Sequence, residues 1–187
     1  MSMSSALFSD FSLSSIRLTN GQIILRPFRL DDVEAHLEGE DEEQVKWISG
    51  GKSTRMSVQE WITRNEESWK TGGLILNFAI EHAQEGRVVG MVEANLDTGI
   101  EGVCPGDANI SYGLYPEARG KGYATMAVNL LIPFLKQRGV KRAVIRVHPD
   151  NVSSLSVPLR CGFEKAHYLL RTRDGQTLQL FYAILNP

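Results

Sequence analysis

Between residues 108 and 114 apolar and polar positions alternate, with Ala108, Ile110, Tyr112 and Leu114 set against Asn109, Ser111 and Gly113. That period of two predicts a strand with one face in a core. Beyond a glycine-containing break the period changes. Ala124, Ala127, Val128, Leu131, Phe134 and Leu135 recur at three- and four-residue spacing, which predicts a helix with one apolar face. Gly120 and Gly122 stand at the junction, where they remove side chains from a backbone that a ligand would approach. The first N–H groups of the helix have no intrahelical partner there and carry the positive end of its dipole. A phosphate fits such a junction.

The same reading places the remaining elements. Asp31-x-x-Glu34 ahead of Val33 and Leu37 predicts a capped first helix. Ser57-x-x-Glu60 predicts the start of a second, running to about Trp69, with Val58, Trp61, Ile62, Asn65 and Trp69 on one face and Gly72-Gly73 as its stop. Leu74 to Glu81 and Arg87 to Leu96 read as strands turned at Glu85-Gly86, and Asp97 to Gly106 as a glycine-containing loop placed near a ligand entrance. Arg142 to Val147 is an apolar strand, and Phe163 to Leu170 and Thr177 to Leu185 form a hairpin around Arg173-Asp174-Gly175. Pro133 lies inside the long helix and predicts a kink. The order is strand, two helices, three strands, helix, strand, helix, two strands, a mixed α/β sheet with helices on both faces.

Composition narrows the class. A chain of 187 residues that is 42% hydrophobic buries about 70% of its unfolded surface around one core, so residues 16–187 are read as a single domain and residues 1–15, rich in serine, as a loosely held tail. Cys104 and Cys161 lack metal-ligand spacing, which points to two ordinary thiols, no metal site and a reducing, cytoplasmic setting. There is neither a basic start nor a long apolar run, so no signal peptide or membrane span is expected. The net charge of −2 argues against a general nucleic-acid binder. The charge is uneven, however. Ala118 to Pro149 contains no acid but holds Arg119, Lys121, Lys136, Arg138, Lys141, Arg142 and Arg146, whereas Asp31 to Glu43 is acidic. Lys136 and Arg138 suit a helix C-terminus, while Arg119 and Lys121 beside the glycines suit an anionic ligand. The acids at Glu38 to Glu43 are read either as a solvated loop or as a surface that draws in a cation.

Three phosphate loops compete for the junction. A Walker loop needs Gly-Lys followed by Ser or Thr, but Gly122 follows Lys121. A dinucleotide fingerprint needs a glycine where Thr125 stands and an acid further on, which is missing. The third pattern, Arg119-x-x-Gly122-x-Ala124, resembles the pyrophosphate loop of the GNAT superfamily of acyl-CoA-dependent N-acyltransferases. Downstream, Asn151-Val-Ser-Ser154 and Cys161-Gly162-Phe163 resemble the segment that borders the pantetheine arm in that family. Ile24 to Asp32 resembles the opening of its ribosomal-protein N-terminal acetyltransferase branch.

The resemblance implies a single-domain GNAT fold: a mostly antiparallel sheet with a splayed central strand pair. It implies acetyl-CoA as cosubstrate, held by Leu114, Arg119, Gly120, Lys121, Gly122, Tyr123, Ala124, Thr125, Asn151 and Ser154, with a backbone N–H near Gly113 or Leu114 at the carbonyl. The acceptor would be a primary amine on a protein N-terminus or a small molecule, and the protein a monomer or homodimer.

Acyl transfer to an amine also needs a proton acceptor and a donor to the departing thiolate. Glu93 is either the base or an edge-strand glutamate in a salt bridge. Asp107 is the alternative base, and Asn109, standing where relatives carry a glutamate, can only hold a water. The tyrosine that serves as acid in many relatives is replaced by Pro158, which leaves Ser154 as donor or as an ordinary helix-start serine. His148 before Pro149 is read as a turn residue. A non-catalytic acyl-CoA sensor of the same fold remains a second reading.

Overall fold

The alternating segments assemble into one eight-stranded sheet of order β1-β2-β3-β4-β5-β6-β8-β7, in a computed structural model that describes residues 15–186. The strands are β1 Leu18–Thr19, β2 Ile23–Pro27, β3 Ile75–His82, β4 Val88–Asn95, β5 Asp107–Leu114, β6 Arg142–Val147, β7 Glu164–Arg171 and β8 Thr177–Ile184. Every pair is antiparallel except β5 with β6, which match only from Asp107↔Arg142 to Asn109↔Val144. Past that point β5 continues to Leu114 and β6 to Val147 without pairing, so the centre of the sheet opens. β1 is too short for a period of two to announce it.

The helices are α1 Val33–Gly39, α2 Glu42–Gln44, α3 Arg55–Thr71, α4 Tyr123–Gln137 and α5 Val152–Arg160. On one face of the sheet, Ala127, Val128, Leu131 and Leu135 of α4 meet Phe78, Val92, Ala108 and Ile110, all buried. Phe134 extends this core edge-on against Phe78, with ring centroids 5.6 Å apart. On the other face Ala79 and Met91 pack under Val33, Val58 and Ile62 of α1 and α3. Each helix thus buries the stripe its sequence period announces.

Three boundaries differ from the sequence reading. α3 starts earlier, because Thr54 and Ser57 form the reciprocal capping box in place of Ser57 and Glu60; it ends where expected, at Gly72 with φ +66°. Asp31 does not cap α1: the carboxylate that orders this turn is Asp32, which accepts the Arg29 N–H at 2.8 Å and pairs with Arg26 at 2.7 and 2.8 Å. The acidic stretch is not a plain loop, since it contains α2 and a π-helical turn at Val45–Ser49, closed by Gly50 with φ +68°. α4 runs on through Pro133. The expected tail, residues 1–15, lies outside the described residues apart from Ser15.

Candidate active site

The opening between β5 and β6 leaves backbone groups of β5 without a strand partner. Tyr115 donates its N–H to Val89 of β4 at 3.0 Å. Groups in an antiparallel ladder alternate in direction, so Tyr112 and Leu114 turn theirs to the open side. The Leu114 carbonyl there accepts Arg119 Nε at 3.0 Å. The Gln44 amide packs directly on Gly113: a Cβ at this position would lie 2.7 Å from Gln44 Oε1. Gln44 is 4% exposed, and its Nε2 has no hydrogen-bond partner among the described residues.

Gly120 and Gly122 adopt φ of +74° and +80°; a Cβ at Gly120 would meet open space and one at Gly122 would meet Met126 Cε at 4.0 Å, an ordinary contact, so backbone conformation and not crowding within the protein selects glycine. Gly122 is the N-cap of α4 and no side chain caps it. The first intrahelical bond runs from Met126 N–H to the Gly122 carbonyl at 3.1 Å, which leaves the N–H groups of Tyr123, Ala124 and Thr125 without helical acceptors.

Leu114, Arg119, Gly120, Gly122, Ala124, Thr125, Asn151 and Ser154 come together around a cleft of about 230 Å³, joined by Gln44, Trp47 and Arg160. Lys121 and Tyr123 are not brought into it. They line a separate groove of about 260 Å³ with His82 and Gln84. Arg119 faces the cleft, yet its guanidinium is engaged by the Asp41 carboxylate at 2.7 and 2.8 Å. This pairing holds the Asp41 carboxyl at about 2, with help from the Gln44 N–H that caps α2. The loop therefore presents backbone N–H groups more than arginine charge, and the same ion pair pins α2 over β5. Glu40 is likewise structural, accepting from Ser53 N and Oγ at 2.7 and 2.6 Å, and Glu43 accepts from Trp47 Nε1 at 2.9 Å.

A second cleft of about 620 Å³ lies on the α1/α3 side of the splay. Asn109 and Ser111 of β5, Arg146 and His148 at the end of β6, Gln176 and Leu178 of the last hairpin, and Lys46 line it. Trp47 closes one wall, with its ring 5.3 Å from that of His148. His148 is the expected turn residue, accepting the Asp150 N–H at 3.2 Å, and it also faces the cleft. Arg146 donates to Asn109 Oδ1 at 3.1 Å, and the 97–106 loop backs it through Glu101.

The two clefts share Trp47, Tyr112, Asn151 and Ser154. Asn151, not Ser154, caps α5, by accepting the Ser154 N–H at 3.3 Å. The Ser154 hydroxyl makes no hydrogen bond among the described residues, and its carbonyl accepts the Tyr112 hydroxyl at 3.1 Å.

The two candidate bases differ. Asp107 is buried, paired with Arg142 at 2.5 Å and bonded to the Cys104 N–H at 2.8 Å, and it lines neither cleft. Glu93 lies on β4, an interior strand, directly opposite Ser111 of the second cleft. No ion pair forms at Glu93 among the described residues, so the salt-bridge reading of it does not apply. Burial raises its pKa against the opposing Asn77 and Asn95 amides. Sequence reasoning missed Gln44, Trp47 and Arg146 as site residues, because α2 and its π turn carry no hydrophobic period and Arg146 reads as one cation among many. Among the described residues no group of three or more His, Cys, Asp or Glu is arranged to hold a metal, and no helix is long and apolar enough to cross a membrane.

Residues 22–164 match the family model described as acetyltransferase (GNAT) domain. A mycothiol acetyltransferase from Kytococcus sedentarius is 26% identical over 166 residues, which is 84% of this chain; the chain spans about half the length of that curated relative. Among solved structures, a putative ribosomal-protein-serine acetyltransferase from Vibrio cholerae superposes with a TM-score of 0.70 at 20% identity, covering 91% of this chain and 98% of that one. A spermidine N-acetyltransferase from Vibrio cholerae, in complex with CoA and spermine, gives 0.71 at 17% identity over 89% of this chain and 97% of that one.

Proposed function

We propose that this chain, which belongs to the GNAT acetyltransferase family, transfers an acetyl group from acetyl-CoA to a primary amine, most simply the N-terminus of a protein or peptide. The observation that carries the proposal is the meeting of two clefts at Tyr112 and Ser154 over a stretch of β5 that has no strand partner on its β6 side. The first cleft suits the cosubstrate. Uncapped N–H groups of α4 offer a diphosphate site, and the buried, unpartnered Gln44 amide against Gly113 offers a polar contact deeper in. Acetyl-CoA would supply the activated acyl carbonyl.

The protein's own groups would do the rest. The N–H groups of Tyr112 and Leu114 on the open side of β5 are donors for a carbonyl oxygen that gains negative charge. Ser154, with its hydroxyl uncommitted, is the donor to the departing sulfur. Glu93 is the proton acceptor. It has no cation to hold it ionised, so its basicity is raised, and water beside Ser111 would carry the amine proton to it. Asp107 is already neutralised by Arg142, which argues against its taking that role.

Release of free thiol from acetyl-CoA, measured with a panel of small amines and N-terminal peptides, tests the proposal. Turnover with peptides supports it, and turnover only with small amines moves the acceptor to that class. A non-catalytic acyl-CoA sensor, favoured by the neutral Asn109 in the second cleft, would bind acetyl-CoA by calorimetry and release no thiol with any amine.

A further inference from the structure

The second cleft contains a guanidinium whose charge is poorly answered. Three other arginines have close carboxylates: Arg26 has Asp32 at 2.7 Å and Glu81 at 2.5 Å, Arg142 has Asp107 at 2.5 Å, and Arg119 has Asp41 at 2.7 Å. Arg138, half-buried and without an ion pair among the described residues, lies instead over the Phe134 ring, 5.4 Å from its centroid, outside both clefts. Arg146 is 20% exposed at its side chain and donates at short range only to the neutral Asn109 Oδ1. Its bond to the Glu101 carbonyl is 3.5 Å, and the Glu101 carboxylate is 4.0 Å away and shared with Arg173. Burial pushes the Arg146 pKa down, and the more distant carboxylates of Glu101 and Asp174 offset this only in part. Around it the cleft adds Lys46 and His148, and its one acid, Asp150, is 79% exposed and turned to His148.

A guanidinium in this state is a receptor for a carboxylate, which its planar fork can bind with charge-assisted hydrogen bonds. A polycation entering the same cleft would meet repulsion instead. We infer that the acceptor is a primary amine carrying a carboxylate close to its amino group, that Arg146 receives this carboxylate, and that polyamines are poor acceptors. The inference rests on the second cleft being the acceptor site of the proposed acetyl transfer. It also suits the chemistry, since a nearby cation lowers the pKa of the incoming ammonium and favours the free amine that must attack.

The test compares acceptors of matched shape on the wild-type protein, with thiol release from acetyl-CoA as readout. Glycine against glycinamide probes a free amino acid; the peptide amide Ser-Asp against Ser-Asn probes an N-terminus with a neighbouring acid; spermidine is the polycation. The acid of at least one pair should exceed its amide by about 10- to 100-fold in kcat/KM, the range of a charge-assisted hydrogen bond. Which pair responds identifies the source of the carboxylate. Arg146→Gln should bring that ratio close to one through KM, and Arg146→Glu should turn preference toward spermidine. The inference is overturned if the amides or spermidine match the acids on the wild-type protein, a result that needs no variant, or if the ratio survives Arg146→Gln. It is also overturned if acetyl-CoA binds and no amine reacts. If calorimetry detects no acetyl-CoA binding at all, the proposed function itself fails. If acetyl-CoA binds and spermidine is the acceptor, only the preference for a carboxylate is lost.

Discussion

The two clefts that meet at Ser154 are built in opposite ways. The first offers backbone to a ligand: a loop in left-handed glycine conformations, an uncapped helix N-terminus and the open edge of β5, all from residues 112–125, with residues 43–48 and α5 as its side walls. The second is mainly side chain, assembled from the π turn after α2, the ends of β5 and β6 and the last hairpin. Backbone can bind a diphosphate common to every reaction of this type, because N–H groups recognise phosphate whatever the neighbouring side chains are. Side chains must select the acceptor. A change in the first cleft should therefore affect cosubstrate binding for all acceptors, and a change in the second should alter which amine is used.

The strongest way to break this division is at Gly122. Its φ of +80° strains any side chain, and a carboxylate there would face the helix N-terminus that phosphate is expected to occupy. Gly122→Glu should weaken acetyl-CoA binding by about 100-fold or more, the scale of a lost charged contact plus repulsion. Titration calorimetry measures this directly. Affinity within a few-fold of wild type would mean that the loop does not hold the diphosphate. Arg146→Gln is the counterpart, and should leave acetyl-CoA affinity unchanged.

Next comes the proton. Glu93→Gln should lower turnover by about 10²- to 10⁴-fold, the usual contribution of a general base. It should also stabilise the protein at neutral pH. Burial raises the folded pKa of Glu93 above the unfolded value of about 4.3, so the fold favours the protonated carboxyl. The stability from that preference is full below the unfolded pKa and is lost as pH rises through the folded one. Glutamine imitates the protonated form. The melting temperature of the variant should match wild type in acid, exceed it progressively as pH rises through that window, and stay above it by a steady margin beyond. A variant that is less stable at neutral pH, with near-normal turnover, would make Glu93 a structural partner of Asn77 and Asn95.

The same division explains what could be read from the chain. The glycine loop at the start of α4 was legible because Arg119, Gly122 and Ala124 lie within six consecutive residues and their spacing encodes backbone conformation directly. The splay, too, follows from a short β5–β6 match that the family resemblance implied. The second cleft was not legible, since Lys46, Asn109, Arg146 and Leu178 meet only after β6 is placed beside β5 and β8. Charge counting was limited for the same reason. The run from Ala118 to Pro149 has no acid within it, but folding sends Arg119 to Asp41, Arg142 to Asp107 and Arg146 to the opposite cleft. The acidic run likewise dissolved into a cap at Asp41 and a tether at Glu40.

At the meeting point the expected effects are smaller. Ser154→Ala removes a hydroxyl with no other partner, so it should slow turnover by about 10- to 100-fold while acetyl-CoA affinity and melting temperature hold. A fall in stability with normal turnover would assign the serine to α5, where Asn151 already provides the cap.

The smallest effect concerns how that serine is held. In α5 the Ser154 carbonyl would normally accept the N–H four residues on, but that residue is Pro158, which has none. The Tyr112 hydroxyl fills the vacancy at 3.1 Å, and in doing so ties β5 to α5 across the splay. Burial pushes the Tyr112 pKa up, so the group remains a donor throughout the working range. Tyr112→Phe should cost about 1 kcal/mol, read as a fall of roughly 2–4 °C in melting temperature. Turnover should fall only a few-fold, through looser placement of Ser154. Pro158→Ala supplies the missing N–H from within the helix, so the two substitutions should not be additive: in the Pro158→Ala background, Tyr112→Phe should cost much less. Strict additivity would mean that Tyr112 supports the junction through ring packing alone, and that the two clefts are joined by shape and not by a hydrogen bond.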